Sequence, residues 1–190
     1  MRITGGSARG ILLDVPRGVE YLRPSTDFLR EAIFSSMWQR TQRAFALDLF
    51  AGVGNYGLEA LSRGAEACVF VEKSRLAADA IGNNLGKVRK SSARSFTAKI
   101  LCQDVLVFAQ SCTAEFDIIF IDPPYNVVEG GGSGLLAVFS KFLKDSADSR
   151  LIFEVPGSYD PGDVDGIVAL KRLGRAGNSR QPNALIYGKK

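Results

Sequence analysis

The stretch ALDLFAGVGNYGLEALSRG, Ala46 to Gly64, decides the fold. Ala46-Leu47-Asp48-Leu49-Phe50 is a short and nearly continuous apolar run, which reads as a strand buried on both faces. Gly52, Gly54 and Gly57 follow in G-x-G-x-x-G spacing, and the segment through Leu58 to Arg63 reads as a helix. Glycines let the chain turn sharply and leave room for a ligand against the backbone. A tight turn without a ligand uses the same residues. Placed between a strand and a helix, the pattern reads as a cofactor loop.

Downstream, the same alternation repeats. Cys68 to Glu72 reads as a strand and Ser74 to Leu85 as a helix, followed by a basic, serine-rich loop from Lys87 to Ser95. Thr97 to Cys102 and Phe116 to Ile121 read as the third and fourth strands. Gly130 to Gly134 reads as a flexible loop, with a helix from Leu135 to Leu143 and a fifth strand from Leu151 to Val155. Ile167 to Leu170 and Ala184 to Tyr187 are two further strand candidates. Upstream, Arg2 to Pro16 reads as a β-hairpin-like arm around Gly5-Gly6 and Gly10. Ser25 to Trp38 reads as an amphipathic helix, with Ser25 as N-cap and Asp27 in the first turn. Apolar strands alternating with helices predict an α/β fold with a mostly parallel seven-stranded sheet and a final antiparallel strand. No repeat or linker divides residues 1–190, so one domain is expected, with residues 1–22 as arm and 23–190 as core.

Composition narrows the chemistry. The chain has 190 residues, 46% of them hydrophobic, and a net charge of +4. No apolar run approaches the roughly 18 residues of a membrane span, and the N-terminus lacks the apolar core of a signal peptide. A cytoplasmic protein is expected. Cys68, Cys102 and Cys112 are scattered, and the first two fall in predicted strands, so buried thiols are expected there. There is no histidine. That excludes Ser-His-Asp and Cys-His nucleophiles and His-ligated zinc, and no metal-ligand set is read. Residues 1–45 hold seven arginines and no lysine, against four acids. Lys87 to Lys99 and Lys171 to Lys190 contain no acid. Such surfaces suit phosphate, although ordinary solvated charge has the same composition.

In parallel sheets, ligands bind beyond the carboxyl ends of the strands. Glu72 ends the second strand, where an acid either accepts from ribose hydroxyls or is simply solvated. Asp104, past the third strand, either accepts from an adenine amino group or caps the next helix. These residues leave open a nicotinamide dinucleotide or S-adenosylmethionine. The end of strand four, Asp122-Pro123-Pro124-Tyr125, decides. Two prolines fix φ and bring no N–H, so Asp122 and the carbonyl of Pro123 become two acceptors converging on one point. A nucleobase amino group offers two N–H bonds to such a pair. Holding both draws the nitrogen toward tetrahedral geometry and frees its lone pair to attack a methyl sulfonium. Tyr125 supplies a face for a flipped-out base. The competing reading is a rigid surface turn with its ring folded on the core.

The Asp122–Tyr125 segment resembles the motif of S-adenosylmethionine-dependent amino methyltransferases acting on adenine, cytosine or guanine. The segment Arg23 to Phe34, the loop and helix from Phe50 to Ala65, and the arm Arg2-Ile3-Thr4-Gly5-Gly6 resemble the bacterial RsmD-type family. The resemblance covers nearly the whole chain. It implies a Rossmann-like class I methyltransferase fold and methylation of guanine N2 in 16S ribosomal RNA, within the small subunit; a monomer is expected. A DNA adenine-N6 or cytosine-N4 methyltransferase is the rival, and a non-catalytic RNA-binding assembly protein a third reading. The resemblance implies cofactor contacts for Asp48, Phe50, Ala51, Gly52, Gly54 and Gly57 around the methionine part. Glu72 and Lys73 fall at the ribose, Asp104 and Val105 near the adenine, and Asp122 at the methyl. Thr26 and Arg30 are expected to close over the cofactor. Arg2, Arg9, Arg23, Tyr125 and Asn126 are the RNA candidates. Phe28 departs from an arginine common in the family, and Ile11 and Leu12 depart from basic residues.

Overall fold

Five apolar segments, β1 (Phe45–Leu49), β2 (Ala67–Glu72), β3 (Thr97–Cys102), β4 (Ile118–Ile121) and β5 (Arg150–Pro156), pair in parallel. With β6 (Ile167–Leu173) and β7 (Pro182–Lys189) they form one seven-stranded sheet in the order β3-β2-β1-β4-β5-β7-β6. β7 is antiparallel to both of its neighbours, as the reading of a final antiparallel strand requires. The computed structural model describes residues 1–17, 27–178 and 181–190. The expected cap at Ser25, and the candidates Arg23 and Thr26, therefore lie outside the described residues.

Helices α1 (Asp27–Ser36), α2 (Asn55–Ser62), α3 (Arg75–Ser91), α4 (Val105–Ser111) and α5 (Tyr125–Phe139) alternate with the strands. Because successive strand residues face opposite ways, the sheet carries two apolar layers. Phe70, Phe120 and Ile152 pack with Phe34 of α1 and Leu58 of α2, whereas Leu47, Leu49, Ile119 and Phe153 pack with Phe108 of α4 and Leu136 of α5. Asp48 shares the first face with Phe70 and Phe120, which are its register partners. Asp122 and Glu154 each stand two residues beyond a member of that layer, so the pleat turns them the same way. Three carboxylates thus gather at one end of one face.

Several expectations are corrected. Lys87 to Ser95 is not a loop throughout: α3 continues to Ser91, with Arg89 and Lys90 in its last turn, where cations suit the helix dipole. The glycine run is not a loop either. It lies inside α5, whose helical geometry breaks at Gly131 (φ 170, ψ 32), and a Cβ on the buried Gly132 would collide with Tyr159. Small residues there let α5 approach the segment after β5. Cys102 is exposed, because β3 is an edge strand with alternating partial exposure, while Cys68 is buried as expected.

The arm turns at Gly10, whose N–H meets Ile3 O at 2.8 Å, and forms a bridge between Arg2 and Leu12. It is docked rather than free. Ser62 Oγ donates to Gly5 O at 2.6 Å and accepts from Ala8 N, and Glu59 accepts from both Thr4 N and Thr4 Oγ1. Ile3, Ala8 and Leu13 are buried in the α1–α2 layer.

Candidate active site

Beyond the carboxyl ends of β1 to β5 lies a cavity of about 330 Å³. Its floor comes from the β1–α2 loop, Phe50 to Val53, whose conformation follows from the sequence. Phe50 and Gly52 take positive φ (57° and 56°), and Gly54 does so at 91° as the N-cap of α2. Glycine carries this without the clash a Cβ introduces; at Phe50 the surrounding bonds hold it. Ala51 N donates to Val71 O at 3.1 Å, and Gly54 N donates to Ala51 O at 2.7 Å. Gly52 N donates to Glu72 Oε2 at 2.9 Å, and Ser74 N donates to Glu72 Oε1 at 2.7 Å. Glu72 therefore ties the loop to the end of β2. Each of its oxygens keeps a further lone pair toward the cavity.

Asp48 is buried and accepts from Gly57 N at 2.8 Å. Burial pushes its carboxyl up to about 8, with the Gly57 N–H opposing and the Glu72 charge adding to the rise. Asp122 also lines the cavity, and its carboxyl is held well above the usual range, chiefly by burial, then by Glu154 and Asp48, with Arg30 opposing. Pro124 gives its carbonyl to Val127 N (2.9 Å) and Val128 N (3.2 Å) in the first turn of α5. The carbonyl of Pro123, a residue that also lines the cavity, is not used in that turn. Tyr125 and Asn126 stand at the rim, at the start of α5.

The structure brings together Asp48, Phe50, Ala51, Gly52, Glu72, Lys73, Asp104, Val105, Asp122, Pro123, Pro124, Tyr125 and Asn126 around one space. It does not bring all the candidates there. Gly57 lies outside the cavity, and a Cβ on it would strike Phe70 and Cys68, so it sets the α2-to-sheet approach. Gly54 likewise serves the turn rather than the lining. Arg30 is wholly buried behind the cavity, where Nη2 donates to Arg2 O and to Asp27 Oδ1, both at 2.7 Å, and Nε lies 3.5 Å from Glu59. Its positive charge reaches Asp122 through the packing, and it is not a lining residue. Asp104 caps α4 through Leu106 N at 2.8 Å and also lines the cavity, so both of its readings hold a place. Arg2 and Arg9 are exposed on the arm, Arg2 beside Asp27 at 3.2 Å.

Sequence reasoning missed Glu154 and Tyr56. Glu154 comes from the end of β5, and Tyr56 Oη donates to its Oε2 at 2.5 Å across the cavity wall. Tyr56 also stacks on Phe120, with centroids 5.1 Å apart. A lone acid inside the apolar run Leu151 to Val155 was the available signal. With it, five carboxylates line the cavity among the described residues, from Asp48, Glu72, Asp104, Asp122 and Glu154, against one cation, Lys73. Such a lining suits a cationic guest and disfavours a phosphate.

A doubly layered sheet in this strand order, with an acid-lined cavity beyond the parallel strands, defines a Rossmann-like methyltransferase fold. A family described as Conserved hypothetical protein 95 matches residues 1–147. The Bacillus subtilis protein named Putative rRNA methyltransferase YlbH is 36% identical over 172 residues, covering 90% of this chain and 91% of that one. Ribosomal RNA small subunit methyltransferase D of Escherichia coli is 34% identical over 156 residues, covering 80% and 73%. The solved putative methyltransferase yhhF from Escherichia coli superposes with a TM-score of 0.80 at 26% identity, over 100% of this chain and 98% of that one. The chain belongs to the RsmD-type methyltransferase family.

Proposed function

We propose that this protein transfers a methyl group from S-adenosylmethionine to N2 of a guanine in 16S ribosomal RNA. The observation that carries the reading is Asp122, placed with the Pro123 carbonyl at the mouth of a cavity lined by five carboxylates and one lysine. S-adenosylmethionine carries a sulfonium, an ammonium and no phosphate, so its charges complement that lining. A nicotinamide dinucleotide brings a pyrophosphate, for which Lys73, the one cation lining the cavity among the described residues, is a poor match. Glu72 would take the ribose hydroxyls, Asp104 and Val105 the adenine, and the Phe50–Val53 backbone and Asp48 the methionine end. When bound, the cofactor supplies an electrophilic methyl group.

The remaining work belongs to the chain. Tyr125 stacks on the extruded base and fixes its plane. Asp122 and the Pro123 carbonyl each accept one hydrogen of the amino group, which localises the nitrogen lone pair. As the new N–C bond forms, the nitrogen must shed one proton. Asp122 takes it in its ionised form, which the cationic donor beside it favours against the burial and the Glu154 charge that raise its pKa. In this reading residues 1–22 form an arm on one catalytic domain, and the protein acts as a cytoplasmic monomer on the small ribosomal subunit.

The test is transfer of a tritiated methyl group to naked 16S RNA, to small subunits and to DNA. Label in the RNA or the subunit agrees with the proposal. Label in DNA alone points to the adenine or cytosine enzyme. No label with any substrate, while RNA is bound, points to an assembly protein.

A further inference from the structure

At the opposite end of the sheet from the catalytic cavity there is a second hollow, of about 310 Å³. It sits where the chain enters β1, β2 and β3, between the arm, the end of α1 and the loop after α3. Its walls include Trp38, Phe96, Arg63 and Arg94, with Ser7 and Ser95 beside them, and among the described residues no carboxylate lines it. Trp38 is 71% exposed although it is the only tryptophan in the chain. Its ring is therefore open to a ligand that enters the hollow. Arg94 is exposed and reaches Gln42 at 3.4 Å, and the Arg89 guanidinium lies 5.5 Å from the Phe96 ring centre. Arg63 is less available, since Glu59 and Thr4 hold its Nε and Nη2.

We infer that this hollow seats an unpaired nucleotide of the RNA substrate, with its base against Trp38 and Phe96 and its phosphate against Arg94. The inference rests on RNA being the substrate. Two aromatic faces joined to guanidinium groups are the makings of a single-strand site, because every base has a face to stack and every nucleotide a phosphate to pair. Charge separates this hollow from the first. Among the described residues the catalytic cavity offers five acids, two of them with raised pKa, and one lysine, and so gives the phosphates of the strand it works on little to pair with. The affinity must come from cations placed elsewhere, and here they flank aromatic rings. From Ala44 to Phe50 the chain rises about 20 Å at ~3.3 Å per residue. A nucleotide held here is therefore several nucleotides from the target, and acts on affinity and placement rather than on the chemistry.

The only tryptophan gives a direct readout. Its fluorescence is followed while a short single-stranded RNA of mixed sequence is added, and methyl transfer to small subunits is measured on the same protein. Saturable quenching that weakens with salt is expected. Arg94→Glu and Phe96→Ala should each raise the RNA Kd about tenfold, in line with the loss of one phosphate or stacking contact, with unchanged melting for Arg94→Glu. Methyl transfer without quenching overturns this inference and leaves the catalytic reading standing. Quenching without methyl transfer supports the inference and removes the catalytic reading. Equal quenching by duplex RNA, or quenching by ribosomal proteins and not by RNA, overturns it.

Discussion

Two acids of the cavity, the half-buried Asp122 and the buried Asp48, set the behaviour at the residue scale. Asp122→Ala removes one of the two acceptors for the amino group, and turnover should fall at least about 100-fold, the usual cost of losing a group that acts on the reacting atoms. Calorimetry should show cofactor affinity within a few-fold of the original, and a large loss there instead would make Asp122 a binding residue. Asp48 bears on stability. Its folded pKa of about 8 lies above the ordinary carboxylate value, so the folded state holds the proton more tightly than the unfolded one. Its contribution is full below pH ~4 and is lost as the pH rises to about 8. Asp48→Asn, which can still accept from Gly57 N, should raise the melting temperature of the cofactor-free protein by several degrees at pH 8 and change little at pH 4. A lower melting temperature at pH 8 would show that the charged form is the one the fold prefers. Asp122 itself was legible from its prolines. Glu154 showed only as a lone acid in an apolar run, because a strand residue's neighbours across the sheet are absent from linear sequence.

At the scale of elements, the glycine loop and the docked arm carry the organisation. Gly57→Ala drives a methyl group into Phe70 and Cys68 and should destabilise the protein by about 1–3 kcal/mol, measured by urea unfolding. The third glycine of the pattern is thus a packing residue of α2, a role its spacing alone does not separate from cofactor contact. Glu59 gathers Thr4, Arg30 and Arg63 in a buried cluster between arm, α1 and α2. Glu59→Gln removes the carboxylate that faces Arg63 Nε at 2.7 Å and Arg30 Nε at 3.5 Å, while Asp27 still holds Arg30, and the loss costs at most about 3–5 kcal/mol. The arm should then be cut sooner by trypsin at Arg9. An unchanged digestion rate would mean that Ile3, Ala8 and Leu13 hold the arm by apolar burial alone. Periodicity located nearly every strand, because buried parallel strands are apolar runs with sharp ends. It failed at Lys87 to Ser91 and at the glycine run. Helix continuation there depends on the dipole and on tight packing against Tyr159, neither of which polarity reveals.

For the whole molecule, the two ends of the sheet divide the work by charge. The carboxyl ends hold an acid-lined cavity that fits a cationic donor, and the amino ends hold a basic, aromatic hollow that fits nucleotide. Among the described residues no helix is long and apolar enough to cross a membrane. The central claim is that the Asp122 and Pro123 acceptors activate an amino group on guanine. Nucleoside mass spectrometry after small subunits are incubated with the protein and isotope-labelled S-adenosylmethionine tests it most directly. The account predicts labelled N2-methylguanosine with the native protein and none with Asp122→Ala. A label on any other nucleoside, or equal labelling by both proteins, would contradict it.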